Sequence, residues 1–195
     1  NSPWVANTGF VYNADVFSTC WSRTPDLYTS FAWLVRTGGT PNVNTGPSGA
    51  ATGSNYLYAE SSWGLVGDFA EIRLPQLYKT ATGAFEVSFA YHAFGAGIDS
   101  TFVDYSNDMG ATWLTMGGLT QSQTSSTDPW ATFTAYPAAT GDTLDIRIRQ
   151  RKSGVSSYLG DMAIDDISVN VVTCPTPTVT VDSVSSTSVS ISWSN

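Results

Sequence analysis

Residues 160–174 read GDMAIDDISVNVVTC. Met162, Ile164, Ile167, Val169 and Val171 make an apolar run, interrupted by two adjacent carboxylates, Asp165 and Asp166. Neighbouring side chains of a strand point to opposite faces, so one of the two acids is expected to face inward. A carboxylate aimed at the interior of a sheet is costly unless a cation or several hydrogen-bond donors neutralise it. Calcium, which takes oxygen ligands, is the expected cation for an oxygen-rich site in a secreted protein.

The rest of the composition suits such a protein. The 195 residues are long enough for one well-buried β-domain and a fragment of a second. Apolar residues make up 42%, aromatic residues 13% and charged residues only 12%, a globular composition with a neutral, hydroxyl-rich surface. A net charge of -8 and a pI near 4.3 exclude a general polyanion binder and leave room for a local basic site. Nucleic acid is therefore not an expected partner. No stretch has the apolar length of a membrane span and the amino terminus lacks the pattern of a signal peptide, so the chain reads as a mature or excised fragment with no membrane insertion. Cys20 and Cys174, the two cysteines, lie near opposite ends. A disulfide between them would close a very long loop; two free buried thiols are the alternative.

Along the chain, short apolar segments recur between turn signals and none has helical spacing. Residues 37–55, TGGTPNVNTGPSGAATGSN, are a long loop of the kind that is usually functional or pinned down. Strands are expected at residues 56–59, 69–74, 84–94, 101–105, 112–116, 131–135 and 143–151. In residues 84–94, AFEVSFAYHAF, Phe85, Val87, Phe89 and Tyr91 share one face and Glu86, Ser88, Ala90 and His92 the other. Many short strands without a helix predict an all-β sandwich of two antiparallel sheets.

Several blocks in order resemble the MAM domain family, the adhesion modules of secreted proteins and receptor ectodomains. They are Cys20-Trp21, Trp33 followed by GGTPNVNTGP, then SNYLYAESS, GDFAEIRLP, FEVSFAYHAFG and GDMAIDDISV. The resemblance covers roughly residues 12–174 and implies a jelly-roll β-sandwich. It also implies a structural cation tying the first strand to the last, at positions matching Asn13 and Asp165, with calcium as the ion. Three positions depart from the family pattern. Its Asp-His-Thr is Ala50-Ala51-Thr52 here, an acid is Asn13, and a cysteine is Glu86, so part of the polar site and one disulfide are missing. Neutral loop carbonyls would then have to complete a calcium site, unless Asp165 simply accepts hydrogen bonds from loop amides without a metal.

The tail after Cys174, PTPTVTVDSVSSTSVSISW, resembles the opening two strands of a fibronectin type III domain. The expected division is a jelly-roll domain over residues 1–173, then linker and truncated second module over 174–195. Ser106-x-Asp108-x-Gly110-x-Thr112-Trp113 matches the Asp-box turn of secreted β-proteins. There Asp108 binds turn amides, Gly110 takes a positive φ and Trp113 packs beneath the hairpin.

Arg147, Arg149, Arg151 and Lys152 are half of all the basic residues. Alternation puts the three arginines on one face and Ile146 and Ile148 in the core. Three guanidiniums in a row could hold carboxylate or sulfate by forked hydrogen bonds, or pair with acids on adjacent strands. Trp63, Trp130 and Tyr158 lie in or beside loops, where exposed rings could stack on sugars, and His92 occupies the family's FxYH histidine. No carboxylate pair, G-x-S-x-G elbow or zinc spacing points to catalysis. The expectation is a non-catalytic, secreted binding module that holds a polysaccharide or cell-surface glycan, an anionic one included. Protein–protein adhesion, oligomer contact or domain spacing is the alternative.

Overall fold

The structure, a computed structural model, describes residues 21–26, 29–79, 83–154, 158–172 and 178–194. Its strands run in order β1 (Ser22–Thr24), β2 (Trp33–Thr37), β3 (Asn55–Ala59), β4 (Phe69–Arg73), β5 (Leu77–Tyr78), β6 (Ala84–His92) and β7 (Ile98–Ser106). They continue with β8 (Leu114–Leu119), β9 (Ala131–Ala135), β10 (Thr143–Lys152), β11 (Ala163–Val172), β12 (Thr178–Val184) and β13 (Val189–Ser194). Among the described residues there is no helix, hence none long and apolar enough to cross a membrane.

The strands make the expected jelly-roll sandwich of two antiparallel sheets. One sheet has the order β1-β4-β10-β7-β8, with β5 also on β10; the other has β2-β3-β11-β6-β9. Period-two sequence builds the space between them. Phe85, Val87 and Phe89 of β6 are buried, as are Leu144, Ile146 and Ile148 of β10. They join two clusters centred on Trp33, Leu57, Ile72 and Ile164, and on Leu74, Phe85 and Tyr105. Removing such side chains from water contributes ~1.5–3 kcal/mol each. Trp33 also ties the sheets together: its indole N–H donates to the Ala70 carbonyl on β4 at 3.0 Å, so the buried donor is satisfied.

The outer face of the second sheet is covered as well. Tyr56, Tyr58, Leu34 and Ala163 form a separate cluster there, with Ala50 and Trp130 against it. Ala50 belongs to the loop between β2 and β3, which folds back over the sheet. This relocates the inward acid. Asp165 is fully buried, but it pairs with Ala90, whose neighbours Ser88 and His92 share the outer face; it lies under the loop and not between the sheets. The register then slips between Asp165 and Ser168, with Asp166 at φ 50, and this bulge returns Ile167 and Val169 to the core.

The hairpin between β7 and β8 begins its second strand later than expected, at Leu114. Asp108 accepts the Thr112 N–H at 2.8 Å and its hydroxyl at 2.6 Å, which holds residues 107–113 in the turn. Gly110 has φ 83, and the ring of Trp113 lies against it, at 3.2 Å from a Cβ built there. Strands β12 and β13 pair with each other, and Val181, Val184, Val189 and Ile191 are exposed.

Candidate functional site

Strands β4, β10 and β7 lie side by side, and their outward residues form one open face. Register aligns Arg73 with Arg147 and Asp104, Glu71 with Arg149 and Phe102, and Phe69 with Arg151. The three arginines share this face, as alternation requires. Two of them are already paired: Glu71 accepts from Arg73 Nε at 2.6 Å and from Arg147 Nη1 at 3.1 Å, while Asp104 Oδ2 accepts from Arg147 Nε at 2.9 Å and Arg149 Nε at 2.7 Å. Arg151 stands 3.8 Å from Asp99 and is half exposed.

Aromatic rings fill the gaps of this ladder. Arg147 lies 4.2 Å and Arg73 5.1 Å from the Trp113 ring centroid, the ring delivered by the turn described above. Arg149 sits between Phe69 at 5.0 Å and Phe102 at 5.3 Å, rings that are 6.2 Å apart. Guanidiniums over ring faces are attracted by the ring quadrupole. Burial pushes the Asp104 carboxyl upward, but hydrogen bonds from Arg149, Thr115 and Arg147 outweigh it and leave the pKa below the ordinary carboxylate value. Asp104 is therefore a fixed anion that holds two guanidiniums still. Beyond Phe69 the face opens into a cavity of about 350 Å³, whose walls include Phe31, Gly64 and Asp68.

The other sequence candidates lie elsewhere. His92 is fully buried on the outer face of the second sheet, edge-on to Trp130 at 5.7 Å. Neither ring nitrogen has a hydrogen-bond partner among the described residues, and burial lowers its pKa against the upward pull of Asp128. Trp63 and Tyr158 are exposed in the loops after β3 and before β11. The structure brings the arginines together and does not gather the rings of Trp63, Trp130 and Tyr158 around them. The rings that do surround them, Phe69, Phe102 and Trp113, occupy outward positions of their strands or the turn. Which strands are neighbours decides that grouping, and single-strand periodicity does not carry it.

Asn13, Cys20 and Cys174, the expected metal and disulfide positions, lie outside the described residues. Asp165 can be tested for a cation. Its Oδ2 accepts the N–H groups of Ala51 at 3.0 Å and Thr52 at 3.2 Å, and its Oδ1 that of Asp166 at 2.8 Å. These converging N–H groups present positive ends, the opposite of calcium ligands. No group of three or more His, Cys, Asp or Glu among the described residues is placed to hold a metal. The described residues around Asp165 thus fit an amide-capped carboxylate and not a cation.

A second polar knot lies beneath the loop before β11. Asp161, with no exposed surface, accepts the Ser61 N–H at 3.0 Å and hydroxyl at 2.8 Å. Burial, reinforced by the nearby charge of Glu60, pushes its pKa up to about 7. Lys152, also buried, donates to the Ser61 carbonyl.

A family model described as MAM domain, meprin/A5/mu, matches residues 16–175. Among solved structures the chain is similar to the K1 cleaved adhesin domain of Lys-gingipain from Porphyromonas gingivalis, at 15% identity over 82% of this chain and 95% of that one, with a TM-score of 0.54. The K2 cleaved adhesin domain of Lys-gingipain is similar at 18% identity over 78% and 89%, with a TM-score of 0.51. At such identities these two likenesses concern the sandwich fold alone. The TmCBM61 structure in complex with beta-1,4-galactotriose matches at 15% identity over 78% and 89%, at a TM-score of 0.48 that adds nothing further.

Proposed function

This chain belongs to the MAM domain family, and from that premise we propose that it is a non-catalytic extracellular module that binds carbohydrate on the outer face of β4, β10 and β7. The observation that carries the reading is Arg149, held through Nε by Asp104 and flanked by Phe69 and Phe102 on an open sheet face. A sugar ring offers C–H groups that stack on aromatic surface and hydroxyls that accept from guanidinium N–H groups. The adjoining cavity gives room for a residue that leaves the flat face.

Catalysis is a poorer use of the same groups. A glycosidase needs one carboxylic acid held protonated beside a second carboxylate. Asp104 is held ionised, and the acids whose pKa burial raises, Asp161 to about 7 and Asp165, have no surface a substrate could reach. The test is a glycan array probed with the full chain and with Arg149→Ala. Binding by the parent and its loss in a variant with an unchanged circular dichroism spectrum supports the reading; an array without any hit removes it.

A protein–protein contact is favoured by one separate observation. Trp63, Leu65 and Val66 expose 47%, 76% and 70% of their surface within one loop. An isolated apolar loop tip suits a protein partner or a second copy. Self-association abolished by Leu65→Asp, with glycan binding intact, would establish it as a second surface. We also take β12 and β13, on which Val181, Val184, Val189 and Ile191 are exposed, as the opening strands of a second, fibronectin-like module beginning near residue 174.

A further inference from the structure

The residues Arg73, Glu71, Arg147, Asp104 and Arg149 form one continuous ladder in which cation and anion alternate. Each acid bridges two guanidiniums, so three cations face two anions and the run ends on Arg149 with a positive charge unmatched. Arg149 spends Nε on Asp104; its two terminal nitrogens have no hydrogen-bond partner among the described residues. Arg151 follows two residues later on the same face, with only the 3.8 Å contact to Asp99. Residues two apart in a strand stand roughly 7 Å apart. Arg149 and Arg151 therefore have the spacing at which Asp104 already bridges Arg147 and Arg149.

What changes at this end is the neighbour. Glu71 is in register with Arg149 on β4, but its two oxygens go to Arg73 and Arg147; on its other side Arg149 meets the ring of Phe102, and Phe69 stands opposite Arg151. Phe69 is 38% exposed. Asp145, the other acid on this face of β10, bonds to Gln76 at 3.2 Å and lies about 13 Å along the strand from Arg149, beyond a Debye length at physiological salt.

We propose that the Arg149–Arg151 end of the ladder binds a sugar carboxylate, whose two oxygens supply the missing anion while the apolar side of its ring lies on Phe69. This rests on the carbohydrate-binding reading and narrows it to acidic sugars bearing isolated carboxylates, such as a hexuronate or a sialic-type terminal residue. The planar fork of a guanidinium matches a carboxylate through two parallel hydrogen bonds. One unmatched charge within a chain of net charge -8 suits a single carboxylate and disfavours a dense polyanion.

The experiment titrates the full chain with a neutral oligosaccharide carrying a single galacturonate, the same oligosaccharide with that carboxyl reduced to an alcohol, sialyllactose, a heparin fragment and a polyglutamate peptide. The expected result is binding of the galacturonate, sialyllactose or both, at least about tenfold weaker binding of the reduced form, and affinity that falls with salt. Arg149→Ala and Arg151→Ala should each lose about tenfold, and Arg149→Lys should recover only part of it, because charge without the fork remains. Thermal melts of each variant identify any that fail to fold, and Arg151→Ala, at a half-exposed position, is the less exposed to that failure. Equal binding of carboxylated and reduced sugar overturns this inference and leaves the carbohydrate reading standing. Preference for heparin or polyglutamate also overturns it. Absence of binding to every sugar here and on the array removes both.

Discussion

The carboxylate of Asp165 accepts the backbone N–H of Ala51, 114 residues earlier in the chain, at 3.0 Å. That bond, with those from Thr52 and Asp166, fastens the long β2–β3 loop across the outer face of the second sheet. Its pKa is raised, because burial outweighs the three stabilising amides.

Asp165→Asn keeps the shape but turns an NH2 group toward amide donors, and Asp165→Leu leaves three N–H groups without an acceptor. Each should cost about 1–3 kcal/mol, with the leucine at the upper end. Urea unfolding measures the loss, and amide exchange should speed up at Ala51 and Thr52 first. Since N–H groups already satisfy Asp165, a chelator should leave the melting temperature unchanged. A drop in EDTA restored by calcium would show a cation at work.

Asp161 sets a pH dependence whose direction follows from its raised pKa. The folded chain keeps a proton up to about pH 7 that an unfolded aspartic acid, at 3.8, has already lost. The stability this confers is complete below the unfolded value, declines as pH rises through that window and is gone above about 7. Asp161→Asn should abolish this slope while keeping an acceptor for Ser61. Glu60, Asp68 and Lys152 surround the site, so melts of parent and variant from pH 4 to pH 8 should be compared as a difference. A difference that grows as pH falls is expected; a flat one would refute the assignment.

Asp104 is 1% exposed and holds Arg147, Arg149 and the Thr115 hydroxyl. Asp104→Ala leaves Arg149 without its acid and Arg147 with Glu71 alone, and should cost about 3 kcal/mol in urea unfolding, with an unchanged m-value. Its lowered pKa has the opposite sign to that of Asp161. The stability it lends is present at neutral pH and lost as pH falls through the folded value.

Gly46 has φ 63, and a Cβ there would come within 2.4 Å of Thr40 Cγ2 and 3.0 Å of the Asp161 carbonyl. Gly46→Ala should lower stability by about 1–3 kcal/mol through backbone strain and contact together. Gly49, three residues on in the same loop, has open space around its Cβ position, and Gly49→Ala should be nearly neutral. Melting temperatures of the pair make the comparison.

Most strands were readable because period two survives wherever one face is buried. Phe85, Val87 and Phe89 mark β6 and Ile146 and Ile148 mark β10 without any neighbour in view. Within the quoted stretch, the three-residue step from Ile164 to Ile167 among residues otherwise two apart is the trace of the bulge. The burial of His92 was not readable. Its position in the alternation is an outer one, and it is the segment before β9, with Trp130 edge-on to the imidazole and Ser125 and Asp128 nearby, that covers it.

The sequence by itself determined the all-β class, the family, the loop over residues 37–55 and the common face of Arg147, Arg149 and Arg151, since these follow from local periodicity and from motifs in order. The tertiary structure alone decided that Asp165 is buried under a loop, that Asp104 and Glu71 take up part of the arginine charge, and that Phe69 and Phe102 flank what remains. The physical reason is that strand order and register join residues tens of positions apart. Alternation along one strand says which way a side chain points, but its partner's charge or ring comes from another strand.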